Sequence, residues 1–274
     1  MGHDEGARAS AVEEAGVDTT VPESARVYDF LLGGKDNFAA DRAVGEALIE
    51  HVPALPRMVR AQRQFLSRAV EFLTEEAGIR QFLDIGSGIP FANNIHEVAQ
   101  RIAPETRVMY ADNDPIVIAH ARAVMTAQSE GVTEIMQADL REPEAILADP
   151  TLRETLDLNE PVALMLIGIL MHLRDEEEPY RLVATLMDAL PSGSYLALTH
   201  PSADFNQEGM NALAASAQQS GIPYVPRSRA EVERFCAGLK LVEPGVVPIL
   251  GWRPAHPPED INSVYGWASV ARKP

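Results

Sequence analysis

One cysteine, Cys236, stands in 274 residues. A lone thiol excludes an intrachain disulfide and the cysteine clusters of structural zinc sites, as expected for a chain kept in a reducing compartment. Basic residues are scarce: 23 Lys and Arg against 40 Asp and Glu leave a formal charge of −17. That balance repels a phosphate backbone, so nucleic acid is not the expected partner. Long apolar runs are missing too. The longest, Val162 to Leu173, is about a dozen residues against the ~20 that a membrane span needs, so no membrane association is expected. The N-terminus carries Asp4, Glu5, Glu13 and Glu14 in place of the apolar core of a secretory signal, which predicts a cytoplasmic protein. His, Asp and Glu do not fall at the intervals typical of metal ligands, and no metal is expected.

What the chain has instead is one substantial core's worth of apolar residues, 46% of the total, enough for a single main domain with additions. Residues 1–22 lack apolar periodicity and read as a disordered tail. Helical spacing then covers Ser24 to Leu32, Phe38 to His51 and Pro56 to Ala77, with Gly33-Gly34 between the first two and Gly78 ending the third. Residues 23–78 thus form a helical N-terminal extension.

From residue 79 to the end, strand and helix alternate, as a parallel sheet with crossover helices demands. Strands are predicted near Gln81, Val108 and Ile135, then at Pro161 to Leu170, Tyr195 to His200, Leu239 to Ile249 and Ser263 to Ala271. The fourth is apolar on both parities, as suits a central strand covered on both faces. The last two lack a helix between them and predict an antiparallel hairpin at the sheet edge. Residues 204–225 carry a helix with few large apolar anchors and read as an insertion. Ser228-Arg229-Ala230-Glu231 has the form of a capping box. The fold class is α/β: a doubly wound, mostly parallel sheet of seven strands.

The first strand ends in Asp84-Ile85-Gly86-Ser87-Gly88, an acid followed by two glycines one residue apart. Glycine supplies the positive φ of such a turn and lets the backbone approach a nucleotide-like ligand closely. The next two strands also finish in acids, Asp112 and Asp139, which would line one edge of the sheet. A nicotinamide site would want a third glycine in Gly86-Ser87-Gly88-Ile89-Pro90-Phe91, where Phe91 stands.

With Leu83-Asp84-Ile85-Gly86-Ser87-Gly88, Asp112-Asn113-Asp114-Pro115, Ala138-Asp139-Leu140 and Leu239 to Gly245, the chain resembles the class I methyltransferases that use S-adenosylmethionine (SAM). Pro90 departs from the third glycine that many of them carry. Ala25 to Arg42, Trp252-Arg253-Pro254 and the closing Ala271 to Pro274 are similar to an actinomycete group of S-adenosyl methyltransferases. The resemblance implies a Rossmann-like fold, SAM as cofactor, and methyl transfer to a small-molecule acceptor. A non-catalytic SAM sensor or partner-binding protein is the alternative reading, and a nicotinamide oxidoreductase a weaker one. A homo-oligomer is compatible with all three.

Under that resemblance, Asp112 would accept from both ribose hydroxyls. Asp139 and the Leu140 amide would face the adenine, with Asn113 flanking it. Gly86, Ser87 and Gly88 would approach the methionine portion, whose ammonium Asp84 would hold. Among Arg26, Lys35, Arg60 and Arg63, the cations expected at its carboxylate are Lys35 and Arg63. Tyr28 would lie near the sulfonium. His172, just past the fourth strand, is the expected general base, with His200 a weaker second.

Overall fold

The computed structural model describes residues 18–125 and 131–274. The expected tail at residues 1–22 lies outside them up to residue 17. Three helices come first: α1 (Ser24–Leu32), α2 (Ala39–His51) and α3 (Leu55–Glu75). In α3 the stripe Met58, Phe65, Leu66, Ala69 and Leu73 is buried, as its three- and four-residue spacing requires. The helix closes where Gly78, at φ 70°, lets the Ile79 amide reach back to the Leu73 carbonyl at 2.8 Å.

The sheet follows as β1 (Gln81–Ile85), α4 (Ile95–Ile102), β2 (Arg107–Asp112), α5 (Pro115–Met125) and β3 (Val132–Gln137). The chain continues through α6 (Pro143–Ala148), α7 (Pro150–Thr155), β4 (Ala163–Ile167), α8 (Pro179–Asp188) and β5 (Tyr195–Pro201). It ends with α9 (Gln207–Gln219), α10 (Arg229–Arg234), β6 (Lys240–Leu241), β7 (Val247–Pro248) and β8 (Gly266–Arg272). Spatial order is β3-β2-β1-β4-β5-β8-β6, with β7 also pairing β8. The five strands β1 to β5 are parallel, and β8 runs antiparallel to β5, β6 and β7.

The predicted sixth strand, Leu239 to Ile249, is two short segments. Between them Gly245 adopts φ 85° and donates to the Val242 carbonyl at 2.8 Å, and Pro244 has no N–H for a ladder. The predicted capping box holds: the Ser228 and Glu231 side chains each accept from the other's backbone N–H.

Two cores flank the sheet. One joins α1, α2 and α3 to residues such as Phe82, Val108, Met165 and Ala197; the other packs Leu83, Met109, Leu164 and Leu196 against α8 and α10. The extension therefore covers one face of the sheet. The weakly amphipathic α9 anchors itself on that side through buried Met210, Leu213 and Ala217 and packs against α2. Among the described residues no helix is long and apolar enough to cross a membrane, and no cluster of three or more His, Cys, Asp or Glu could hold a metal ion.

Candidate active site at the carboxyl ends of the strands

Strand order reverses between β1 and β4, and parallel sheets open a crevice at such a switch point. Here it is a cleft of about 990 Å³, mouth included, walled by the ends of β1, β2 and β4, the residues after β3, and the start of α1. Of the expected site residues, Tyr28, Arg63, Asp84, Gly86, Ser87, Gly88, Asp112, Asn113, Asp139, Leu140 and His172 all line it.

The turn after β1 is built as its glycines demand. Gly86 and Gly88 sit at φ 76° and 67°, a region that costs other L-residues about 1–2 kcal/mol. A Cβ on Gly86 would also stand 2.6 Å from Ile169 Cγ1, whereas one on Gly88 would meet nothing within 4 Å. Asp112 ties this turn to β2. Its Oδ2 accepts the Gly88 amide at 2.9 Å and its Oδ1 the Asp114 amide at 3.0 Å, which leaves lone pairs free on both oxygens. Burial raises its pKa, against the pull of those amides.

Asp84 is buried, and its carboxyl accepts no hydrogen bond among the described residues. Desolvation pushes its pKa up to about 7; Arg63 opposes the shift and Asp112 adds to it. Arg63 spends Nη2 on the loop after the glycine turn, donating to the Ala92 and Asn93 carbonyls and to Asn94 Oδ1. Its Nε is buried without a hydrogen-bond partner among the described residues. At the far end, Asp139 accepts from Asn113 Nδ2 at 3.1 Å and from the Arg141 amide at 2.9 Å. Burial raises the Asp139 pKa, and these bonds more than reverse it.

His172 ends the short turn of helix after β4, and its Nδ1 lies 2.7 Å from the Pro223 carbonyl. A carbonyl only accepts, so the proton sits on Nδ1 and the neutral ring presents a bare Nε2. Burial lowers the ring's pKa, partly offset by that hydrogen bond.

Two expectations are corrected. Lys35 is exposed and does not line the cleft. Asp29 accepts the Asp36 amide and Asn37 Nδ2, and its carbonyl takes the Gly34 amide, so the Gly-Gly turn folds onto the end of α1 instead of over the cleft. His200 is fully buried outside the cleft, between the Pro201 carbonyl and Arg227 Nη1, and burial drives its pKa down to about 3. Two passed-over cations are also structural or exposed. Arg26 is buried in a salt bridge with Asp41, and Arg60 faces outward.

The sequence reading missed Glu23, Ser24 and Ala25 at the start of α1, Gly168 and Ile169 after β4, and Arg141. Arg141 had a signal in its place directly after Asp139-Leu140. Its guanidinium joins Asp139, Glu177 and the His172 carbonyl.

The S-adenosyl methyltransferase family model matches residues 10–274. The chain belongs to that family. It is a SAM-dependent methyltransferase, with SAM as cofactor. A DUF574 family protein from Streptomyces avermitilis MA-4680 is 44% identical with a TM-score of 0.91, covering 94% of this chain and 99% of that one. A protein from Thermobifida fusca YX is 41% identical with a TM-score of 0.88, covering 94% and 97%. A SAM-dependent methyltransferase from Anabaena variabilis ATCC 29413 shares the fold at 12% identity and a TM-score of 0.51, covering 94% and 98%. No curated protein matches the chain.

The donor set suits SAM by charge. Five carboxylates, of Glu23, Asp84, Asp112, Asp114 and Asp139, line the cleft against the guanidiniums of Arg63 and Arg141. A ligand with a sulfonium, an ammonium and one carboxylate is a net cation and gains from that field, whereas a dinucleotide's pyrophosphate would be repelled.

Proposed function

We propose that this methyltransferase acts on a small-molecule acceptor, with the helical extension (23–78) and the insertion near 204–225 supplying the acceptor pocket of the 79–274 SAM-binding domain. The observation that carries this is a second cavity of about 530 Å³, mouth included, that shares Ser24, Tyr28 and His172 with the cleft. Its remaining walls come from α1, α2 and α3, from Met171, and from Ala217, Ile222 and Tyr224. Enclosure by helices suits a molecule that enters whole rather than a polymer lying across a surface.

In this reading Asp84 holds the ammonium of SAM. Its buried, donor-free carboxyl needs a cation, and an ionic hydrogen bond offsets the desolvation. The orphan Arg63 Nε turns to the methionine carboxylate, and Gly86, Ser87 and Gly88 let the backbone come close. Asp112 takes the ribose hydroxyls on its free lone pairs. Asp139 and the Leu140 amide read the adenine edge, with Asn113 fixed beside them by its bond to Asp139. Tyr28 spends its hydroxyl on the Val59 carbonyl at 3.2 Å, so its ring is what meets the sulfonium region.

Bound there, SAM would supply an electrophilic methyl carbon with its sulfur as the leaving group. The protein aligns the acceptor with that carbon and excludes water. His172 Nε2 receives the acceptor's proton where one must leave.

The test is transfer of labelled methyl from SAM in a cell extract split by ultrafiltration. Label is expected in the small-molecule filtrate. Label confined to the macromolecular retentate, or no transfer beside tight SAM binding, would contradict the reading.

A further inference from the structure

The second cavity is selective in a way its walls define. Val27, Leu31, Leu48, Leu55, Met58 and Val59 give it an apolar body, and among the described residues no Lys, Arg, Asp or Glu lines it. Burying an unpaired charge there would cost far more than the cavity could return. Charged acceptors are therefore disfavoured. The rings of Tyr28 and Tyr224 and the thioethers of Met58 and Met171 instead favour a flat aromatic body.

Polar groups are few and oriented. His172 Nε2 is a bare acceptor, because Nδ1 is committed to Pro223. The other is Gln62. Its side chain is only 4% exposed, it lines this cavity, and its Oε1 is buried without any hydrogen-bond partner among the described residues. Leaving such a group unsatisfied costs about 1–3 kcal/mol, so its retention calls for a donor from outside the protein. Gln62 also marks where the cavity meets the cleft. A Cβ on Gly168, which lines the cleft at φ 69°, would stand 3.1 Å from Gln62 Oε1.

Resting on the proposed function above, we propose that this cavity takes an uncharged aromatic acceptor bearing two hydrogen-bond donors. One is a hydroxyl directed at His172 Nε2 that becomes methylated, and the other is held by Gln62 Oε1. In the transfer the hydroxyl oxygen gives a lone pair to the methyl carbon and its proton to Nε2. A methyl ether forms, sulfur keeps the pair of the broken bond as S-adenosylhomocysteine, and the imidazolium passes its proton to solvent. A phenolic hydroxyl suits this better than an aliphatic one, since its pKa near 10 lies within reach of an imidazole in a concerted step.

The experiment is calorimetric titration of the full-length protein, loaded with S-adenosylhomocysteine, with naphthalene probes: dihydroxynaphthalenes, 2-naphthol and 2-naphthoate. The dihydroxy compounds are expected to bind at least about tenfold more tightly than 2-naphthoate, a discrimination of the size one satisfied buried group provides. Gln62→Met, which replaces the carboxamide with an apolar chain of similar length, should erase the advantage of the best dihydroxynaphthalene over 2-naphthol. S-adenosylhomocysteine affinity, the control for folding, should stay within about twofold. Tighter binding of the naphthoate, or an unchanged dihydroxy preference in a Gln62→Met protein that still binds S-adenosylhomocysteine, would overturn the inference. So would the absence of aromatic binding beside intact S-adenosylhomocysteine binding, which leaves the proposed function standing. Failure of the wild-type protein to bind S-adenosylhomocysteine would instead strike at the proposed function itself.

Discussion

His172 Nδ1 lies 2.7 Å from the carbonyl oxygen of Pro223, and this one contact sets the tautomer of a histidine that lines both cavities. The neutral ring is the working form of a base, and burial holds its pKa below the usual 6.5. Methyl transfer should therefore be level through neutral pH and fall only as pH drops below the ordinary histidine range. His172→Gln should leave SAM affinity within about twofold while slowing transfer by roughly 10²–10⁴-fold, the usual contribution of a positioned base. Unchanged transfer of labelled methyl would remove His172 from the chemistry.

Arg227 holds the segment that carries His172. It is 1% exposed, and its two terminal nitrogens donate to the Leu170 carbonyl at 3.1 Å and the Leu173 carbonyl at 2.9 Å, one residue or two from His172 on either side. Around it also lie Asp175, His200 and the faces of Tyr180 and Phe235. Lysine keeps the charge but cannot fork to both carbonyls. Arg227→Lys is expected to cost roughly 2–4 kcal/mol by chemical denaturation, from two buried carbonyls left short of a donor. A merely structural loss would stop there. A positioning role also predicts that the His172 pKa, followed by NMR, moves up toward 6.5 as the segment loosens, while SAM affinity changes little.

Asp84 couples the site to pH. In the folded protein its pKa is about 7 against 3.8 for the ordinary carboxyl. The folded state thus holds this proton more tightly, and the stability it contributes is fully present below about pH 3.8 and lost as pH rises through 7. The loss approaches roughly 4 kcal/mol. Melting curves of the SAM-free protein should show Asp84→Asn gaining on the wild type between pH 4 and pH 8. SAM should reverse the order, because the ammonium needs the ionised carboxylate, and wild-type affinity should weaken as pH falls below 7. A constant difference between the two proteins across that range would show that Asp84 does not titrate there.

The elements that wall the cleft were legible because their signals are local. An apolar run, an acid and a glycine follow one another within eight residues at Gln81 to Gly88, and the acids Asp112 and Asp139 repeat at the ends of the next two strand predictions. Lys35 was misplaced because its direction depends on Asp29 capturing the following loop, which the Gly-Gly pair does not reveal. His200 obeyed the rule of strand ends but is sealed by Arg227, distant in sequence. Gln62 looks like the polar face of an amphipathic helix; only packing against the sheet shows it to be buried. Gly168 disappears inside an apolar run, although its left-handed φ ends β4 and it lines the cleft. In the last hairpin the Pro244-Gly245 turn was in plain view, yet the run of apolar residues around it favoured one strand over two.

The most direct measurement is calorimetric titration of the wild-type protein and of Asp112→Ala with SAM, S-adenosylhomocysteine and NAD. The wild type is expected to bind SAM and S-adenosylhomocysteine at micromolar concentrations and not NAD. Asp112→Ala is expected to lose about 100-fold or more, since two charge-assisted hydrogen bonds of about 1.5–3 kcal/mol each disappear. Undiminished affinity in Asp112→Ala, or binding of NAD alone by the wild type, would contradict the site described at the ends of these strands.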